Sequence, residues 1–365
     1  MVRDSLEPGS KSGSEVLVEF LASACLWRHI FQMEITMKPG ALFVLLCMAI
    51  SSFGAGQEKT VPEIPFESVP NLLKLPNDLY LGEVAGVAVN SKGHIFVYTR
   101  SARTRLFEFD VKGEYVREIG KDLYGFAFAH VVRIDKDDNI WCVDEGANLA
   151  IEFNPEGRVI TLYGRKPESV EGAAAPGVTP PPPPPAFTTY AHRLFNRPTD
   201  VAWDSAGNSF FADGYGNSRV VKYDKDGNWV KEWGKRGTAP GEFHTVHSIA
   251  TDAKGNVYVG DRENNRIQVF DGEGNFLKEW TQAGAPWAIC ITSGPKQVLY
   301  TSDSNAGRIY KLDLDGNILG AFGKQGKQLG QFGWVHEISC PSENTLFVAE
   351  LLNWRVQKLI LHPVP

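Results

Sequence analysis

Asp252-Ala-Lys-Gly-Asn-Val-Tyr-Val-Gly-Asp-Arg-Glu-Asn-Asn-Arg-Ile-Gln-Val-Phe-Asp-Gly-Glu-Gly-Asn-Phe276 is the stretch that decides the fold. It reads as an Asx/Gly turn, an alternating run, a polar loop ending in Arg266, a second alternating run and a second Gly turn. The alternation in Val257–Gly260 and Arg266–Phe270 has the period of two that belongs to strands. Gly, Asn and Asp sit at the turns because tight hairpins need positive φ at little steric cost. Working outward, the same unit returns at intervals of about 40 to 50 residues. Its first turns open at Asn90, Asp135, Asp204, Asp252, Thr292 and Pro341, and its second turns at Asp110, Asn154, Asp224, Asp271 and Asp313. With an apolar strand before each first turn, the unit holds four strands, and six units predict an all-β, six-bladed propeller. The last copy ends near Leu361 without a fourth strand. Asn71-Leu-Leu-Lys-Leu75 has no partner of its own, and this reading makes it the outer strand of the last blade. An N-terminal strand there closes the ring and covers two sheet edges.

Three histidines share one register of the unit. His130, His247 and His336 each lie five residues before a first turn, at Asp135, Asp252 and Pro341. The other three copies carry Ala85, Thr199 and Trp287 there, so histidine is not a generic residue of the repeat. A lone strand histidine is more often a packing residue than a ligand. With eight histidines in 365 residues, three at one register of alternate units is a poor match to chance. In a ring, equal register in alternate units points three imidazoles at one axis, which is the ligand set of a catalytic zinc site. His94, His192, His244 and His362 fall off the register and read as surface or packing residues, with His244 close enough to His247 to support it.

The chain divides into an upstream segment and signal peptide (1–56), a lead-in with the closing strand (57–79) and the propeller (80–361). A proline-rich insertion at 164–190 interrupts it and reads as polyproline II. Residues 37–56 have a positive start, a short apolar run from Ala41 to Ile50 and small residues after it. That pattern predicts a signal peptide with Met37 as the true start, and a secreted or periplasmic protein with no membrane span once the peptide is removed. A hydrophobic content of 43% suits one large β-domain, and a formal charge of −6 argues against a nucleic-acid partner. We expect a monomer. Of five cysteines, Cys142, Cys290 and Cys340 lie beyond the leader. An odd count without CxxC spacing predicts neither a disulfide framework nor a thiolate metal site, with Cys142 and Cys290 as core residues.

The pattern Asn-x-Arg-[Val/Ile] recurs at Asn217, Asn264 and Asn353, with Ala306-Gly-Arg308 a looser copy, and resembles NHL-type propeller repeats. Longer strings are more specific: Arg197-Pro-Thr-Asp-Val-Ala202, Asp213-Gly-Tyr-Gly-Asn-Ser-Arg219, Gly241-Glu-Phe243, Val246-His-Ser-Ile249 and Asp261-Arg-Glu-Asn-Asn-Arg-Ile267. On these the propeller, about residues 80–361, resembles the peptidyl-α-hydroxyglycine α-amidating lyases, the lyase half of the peptide-amidating enzyme. The resemblance implies zinc on His130, His247 and His336, a catalytic tyrosine at Tyr215 and active-site arginines at Arg100 and Arg262. It also implies a structural calcium on the carbonyls of Val87 and Val132 and a carboxylate at Glu337, where the family has Asp. The family's cysteines near the tyrosine loop are missing, and Gly216 follows Tyr215 instead. The partner implied is a peptide or small molecule ending in α-hydroxyglycine, cleaved to an amide and glyoxylate.

In that chemistry zinc acts as a Lewis acid on the hydroxyl, and Tyr215 is a general base that needs a lowered pKa. Arg262 stabilises its phenolate, and Arg100 clamps the glycine carboxylate. The plainer readings are a loop-bracing pair of Arg262 with Asp261 or Glu263 and an exposed loop aromatic at Tyr215. Among rival functions, a non-catalytic secreted NHL binding propeller explains the fold but not the histidines. A lactonase-like hydrolase needs an inner-register carboxylate set that the sequence does not offer. A streptogramin-lyase-like propeller uses a single histidine.

Overall fold

Six four-stranded antiparallel sheets stand around one axis in the computed structural model, which describes residues 61–166 and 193–362. Blade one holds β2–β5 (Glu83–Val89, Ile95–Arg100, Arg105–Phe109, Tyr115–Ile119). Blade two holds β6–β9 (Ala129–Ile134, Ile140–Asp144, Leu149–Phe153, Val159–Gly164). Blade three holds β10–β13 (Asp200–Trp203, Ser209–Asp213, Arg219–Tyr223, Trp229–Trp233), and blade four β14–β17 (Val246–Thr251, Val257–Asp261, Arg266–Phe270, Phe276–Trp280). Blade five holds β18–β21 (Pro286–Ile291, Leu299–Asp303, Arg308–Leu312, Ile318–Phe322). Blade six joins β22–β24 (Val335–Ser342, Thr345–Glu350, Arg355–Leu361) to β1 (Phe66–Ser68), and β1 lies antiparallel on β24. No α-helix occurs among the described residues. The leader and nearly all of the proline-rich insertion lie outside them.

The strand that lies on β24 is therefore not Asn71–Leu75 but the segment just before it. Phe66 pairs with Leu361 and Ser68 with Leu359. The strand ends at Ser68, and Asn71 beyond it adopts φ 51°. The leucines that looked like strand residues, Leu72, Leu73 and Leu75, pack on the apolar cluster between blades one and six. Their hydrophobicity is real, but it serves a cap over a cleft rather than a ladder.

The core is divided among the clefts. Six clusters of buried side chains each combine residues of two neighbouring blades. Between blades three and four, for example, Phe210, Ala212 and Val220 meet Val257, Val259 and Phe270. Each sheet thus buries both faces, which is why its inner strands read as nearly continuous apolar runs. Cys290 and Cys340 sit on the inner strands of adjacent blades and form a disulfide across the cleft, a correction to the expectation of none. Their sequence separation of 50 is one repeat, so equivalent strands bring them together. Cys142 remains a free, buried thiol.

The Asn-x-Arg signature has a structural meaning. A buried carboxylate ends the second strand of a blade and receives both residues. Arg266 Nε and Asn264 Nδ2 donate to Asp261 at 2.7 and 2.8 Å. Arg219 and Asn217 donate to Asp213 at 2.9 and 2.7 Å, and Arg355 and Asn353 to Glu350 at 2.7 and 2.6 Å. Arg266 also caps the carbonyls of Thr238, Ala239 and Glu242, fastening the loop that enters the blade. Arg308, in the looser copy, bonds instead to Glu63 and the Gly323 carbonyl.

Candidate metal centre

Every inner strand except that of blade three carries a β-bulge at the histidine register. In β6 Ala129 faces Asp144 and Val131 faces Val143, leaving His130 as the extra residue. His247 and His336 occupy the same place in β14 and β22, and Ala85 and Trp287-Ala288 do so in β2 and β18. A bulge bends the strand and re-aims the side chain beside it. Here it turns three imidazoles onto the axis. Their ring centroids lie 4.6 to 5.1 Å apart, and their candidate ligand nitrogens all fall within 4.8 Å of one another.

The neighbouring blade orients each ring. His247 Nδ1 bonds the Trp287 carbonyl at 2.6 Å, and His336 Nδ1 bonds the Ala85 carbonyl at 2.7 Å. Both acceptors are the same-register residues of the next blade. Thr199 stands in the corresponding place beside His130, with its main chain close enough to act on the ring, although His130 Nδ1 completes no hydrogen bond. A proton held at Nδ1 leaves Nε2 with a lone pair, the tautomer a metal requires. The Nε2 atoms of His130 and His247 are buried and have no partner in the fold. Buried acceptors are rarely left unmet, so the donor set fits a nitrogen-preferring dication such as zinc.

Burial, followed by the neighbouring imidazoles and arginines, holds His130 and His247 well below the ordinary imidazole range. Burial and then Arg100 push His336 down to about 3 from 6.5. All three rings are neutral at pH 7. The unfolded chain takes up these protons near pH 6.5 and the folded chain far lower, so the stability from the neutral rings is full above that value and lost below it. Without divalent metal, the melting temperature is expected to fall steadily as pH drops from neutrality toward 4. His336→Gln is expected to flatten that slope, measured by calorimetry across the pH series.

Tyr215 stands beside the cluster, its ring 5.6 Å from His130 and 5.8 Å from His247. Its loop lies so close to β14 that a Cβ on Gly214 would stand 1.7 Å from the Val246 carbonyl, so only glycine fits there. The Gly216 amide ties the other side of the loop to the Asn196 carbonyl at 3.0 Å. Arg262 Nη1 donates to the Tyr215 hydroxyl at 3.3 Å, and its guanidinium also stacks on Trp287 at 4.5 Å. The plainer reading of Arg262 holds as well, since it pairs with Glu263 at 2.8 Å. One guanidinium makes both contacts. Arg100 stacks on Phe128 at 4.2 Å, donates to the Ala129 carbonyl at 3.3 Å and bonds Glu83 at 3.2 Å. Its charge bears on all three histidines and on Tyr215.

The expected lowering of the Tyr215 pKa is not what the protein surroundings produce. Burial raises it, and the Arg262 and Arg100 charges only partly offset that. His244 does not support His247. It bonds Arg236 at 2.7 Å.

The sequence reading missed Glu145 and Arg197. Glu145 is buried between two arginines, 3.9 Å from Arg100 and hydrogen-bonded by Arg197 Nε at 2.8 Å. The Arg197 guanidinium also lies 4.7 Å from the Tyr215 ring. Its place in the string Arg197-Pro-Thr-Asp was a usable signal.

The calcium expectation meets a different arrangement. Glu337 is fully buried on the axis, but its Oε2 accepts the amide protons of Val87 at 2.9 Å and Val132 at 3.2 Å. Its Oε1 stands 3.3 Å from Arg133 Nε but outside hydrogen-bond geometry, and it is buried without a hydrogen-bond partner. Burial lifts the Glu337 carboxyl well above the usual carboxylate range, and Arg133 pulls it back. Asp200, also fully buried, joins the same group, so inner-strand carboxylates do exist but are turned onto an arginine. These residues do not present a calcium cage.

The NHL repeat family matches residues 243–270. A probable peptidyl-α-hydroxyglycine α-amidating lyase of Caenorhabditis elegans is 28% identical over 254 residues, 61% of this chain and 67% of that protein. A peptidyl-glycine α-amidating monooxygenase of Mus musculus is 29% identical over 267 residues, covering 64% of this chain. The chain spans only 24% of the mouse protein's length. A streptogramin B lyase structure shares the fold at a TM-score of 0.54 and 16% identity, covering 82% of this chain and 98% of that one. The chain is a six-bladed propeller with an NHL repeat at residues 243–270, and it is similar to the peptidyl-α-hydroxyglycine α-amidating lyases.

Proposed function

We propose that the protein is a zinc-dependent carbon–nitrogen lyase that cleaves a peptidyl or N-acyl α-hydroxyglycine to the corresponding amide and glyoxylate. The observation that carries this reading is the meeting of three bulged histidines with Tyr215, which in turn contacts Arg262. The similarity to amidating lyases supports the substrate class.

His130, His247 and His336 would hold the ion. When bound, zinc supplies Lewis-acid polarisation of the substrate hydroxyl and a positive field that favours the Tyr215 phenolate. Tyr215 takes the hydroxyl proton. The oxygen electron pair forms the new C=O bond, the C–N bond breaks, and its pair passes to the amide nitrogen. The proton returns to that nitrogen, so no water or redox partner is consumed. Arg262 stabilises the Tyr215 phenolate before it accepts the proton, and the Arg100 guanidinium would hold the glycine carboxylate. The Cys290–Cys340 disulfide fits an oxidising, extracytoplasmic compartment, the secreted or periplasmic location that the leader suggests.

The test is glyoxylate release from an N-acyl-α-hydroxyglycine by the purified protein, with and without a chelator. Chelator-sensitive release that zinc restores is the expected result. No release from zinc-loaded, folded protein would refute the substrate class.

A further inference from the structure

One to three residues beyond the histidine register, the same inner strands meet in a second polar cluster, built around a fixed positive charge. Arg133 Nε and Nη2 grip Asp200 in a fork at 2.8 and 2.6 Å. Its Nη1 donates to the Ile338 carbonyl and its Nη2 to the Ile289 carbonyl, each at 3.3 Å. Its Nε stands 3.3 Å from Glu337 Oε1. Asp200 in turn accepts the Ile249 amide at 3.0 Å, and Glu337 accepts those of Val87 and Val132 at 2.9 and 3.2 Å. Blade one contributes Val87, blade two Val132 and Arg133, blade three Asp200, blade four Ile249, blade five Ile289 and blade six Glu337 and Ile338. Every blade therefore contributes to this cluster, blades one and four through the two carboxylates that Arg133 holds.

A calcium ion needs six to eight oxygen ligands at about 2.3 to 2.6 Å. Among the axial oxygens beside the Val87 and Val132 carbonyls, those of Asp200, Ile289 and Ile338 accept from the guanidinium, and Glu337 Oε1, buried without a hydrogen-bond partner, stands 3.3 Å from its positive charge. The Glu337 oxygen not facing Arg133 is met by amide protons, which repel a cation. The approach is tight as well, since a Cβ on Gly86 would lie 2.6 Å from both that oxygen and the Val132 nitrogen. A dication here would stand beside a permanent positive charge in a low-dielectric interior.

We propose that Arg133 is the axial cation of this propeller, joining its six inner strands in place of calcium and keeping the histidine centre in register without that ion. Arg133 is a positioning residue. It follows His130 by three positions, and its partner Glu337 follows His336 directly. The proposal does not depend on which reaction the centre performs.

The test combines metal analysis of the full-length protein with melting curves in zinc, with and without millimolar calcium. The wild-type protein is expected to retain no stoichiometric calcium and to melt at the same temperature in both. Arg133→Met removes the charge at similar length. It is expected to lower the melting temperature by more than about 5 °C and to make it respond to calcium, which then finds vacant oxygens. Arg133→Lys keeps the charge without the fork and is expected to melt between the two, unmoved by calcium. Stoichiometric calcium in the wild type, a calcium-dependent wild-type melt, or an Arg133→Met protein as stable as the wild type would each overturn the proposal. Should Arg133→Met not accumulate as folded protein, the wild-type calcium content and the Arg133→Lys melt decide it.

Discussion

With His247 replaced by alanine, the protein is expected to purify folded but without zinc, and glyoxylate release is expected to fall by about three orders of magnitude or more. The reasoning is geometric. His247 is one of three nitrogens on a shared point, and its Nδ1 is fixed by the Trp287 carbonyl. Removing even the partner that orients a ligand commonly costs about 10- to 100-fold in metal affinity, so losing the ligand itself costs more. The fold is expected to survive because the ring packs on the other two histidines at the axis. Plasma emission for zinc, circular dichroism and the glyoxylate assay read the three parts separately. A variant that keeps zinc and activity would remove His247 from the centre. Trp287→Ala provides a contrast, since it keeps the carbonyl that binds Nδ1 and loses only the ring that Arg262 stacks on.

The second large effect is at Tyr215. Tyr215→Phe is expected to lower kcat by about 10²- to 10⁴-fold, the usual worth of a positioned acid–base group, with zinc content and melting temperature close to wild type. The phenyl ring keeps the packing against His130 and His247 and the stacking with Arg197, so the loss isolates the hydroxyl. That hydroxyl is half of the contact with Arg262. If Arg262 acts through it, Arg262→Lys will shift the alkaline limb of the kcat profile in the parent protein and do nothing further in Tyr215→Phe. Activity that survives Tyr215→Phe would leave the proton to another group, and Glu145, buried between Arg100 and Arg197, would be the first to examine.

Much of this site is legible in the sequence because a propeller turns spacing into direction. His130, His247 and His336 stand at equal distances from equivalent turns, and equivalent strands face one axis. The bulge that aims them is not legible, since neither a glycine nor a proline marks it at His130 or His247. Contacts between distant residues are hidden for a different reason. Arg133 and Asp200 are 67 positions apart and Arg133 and Ile338 are 205 apart, and no local pattern links them. The Cys290–Cys340 bridge was obscured by counting cysteines rather than comparing their places in the repeat. The segment Asn71–Leu75 misled because apolar residues can cap a cleft as well as build a ladder, whereas the short Phe66–Ser68 has too few residues to show alternation.

The bulges have a consequence for how such a centre changes over generations. Ala85 and Trp287 sit at the same backbone kink as the three histidines, though neither side chain could serve as a metal donor. The ring is therefore a turret whose sockets are cut before they are armed. A single codon at Ala85 can bring a new donor to bear on the axis with the main chain already bent to present it. Chemistry on this scaffold can diversify by re-equipping sockets, while the walls between blades, where the stability resides, stay untouched.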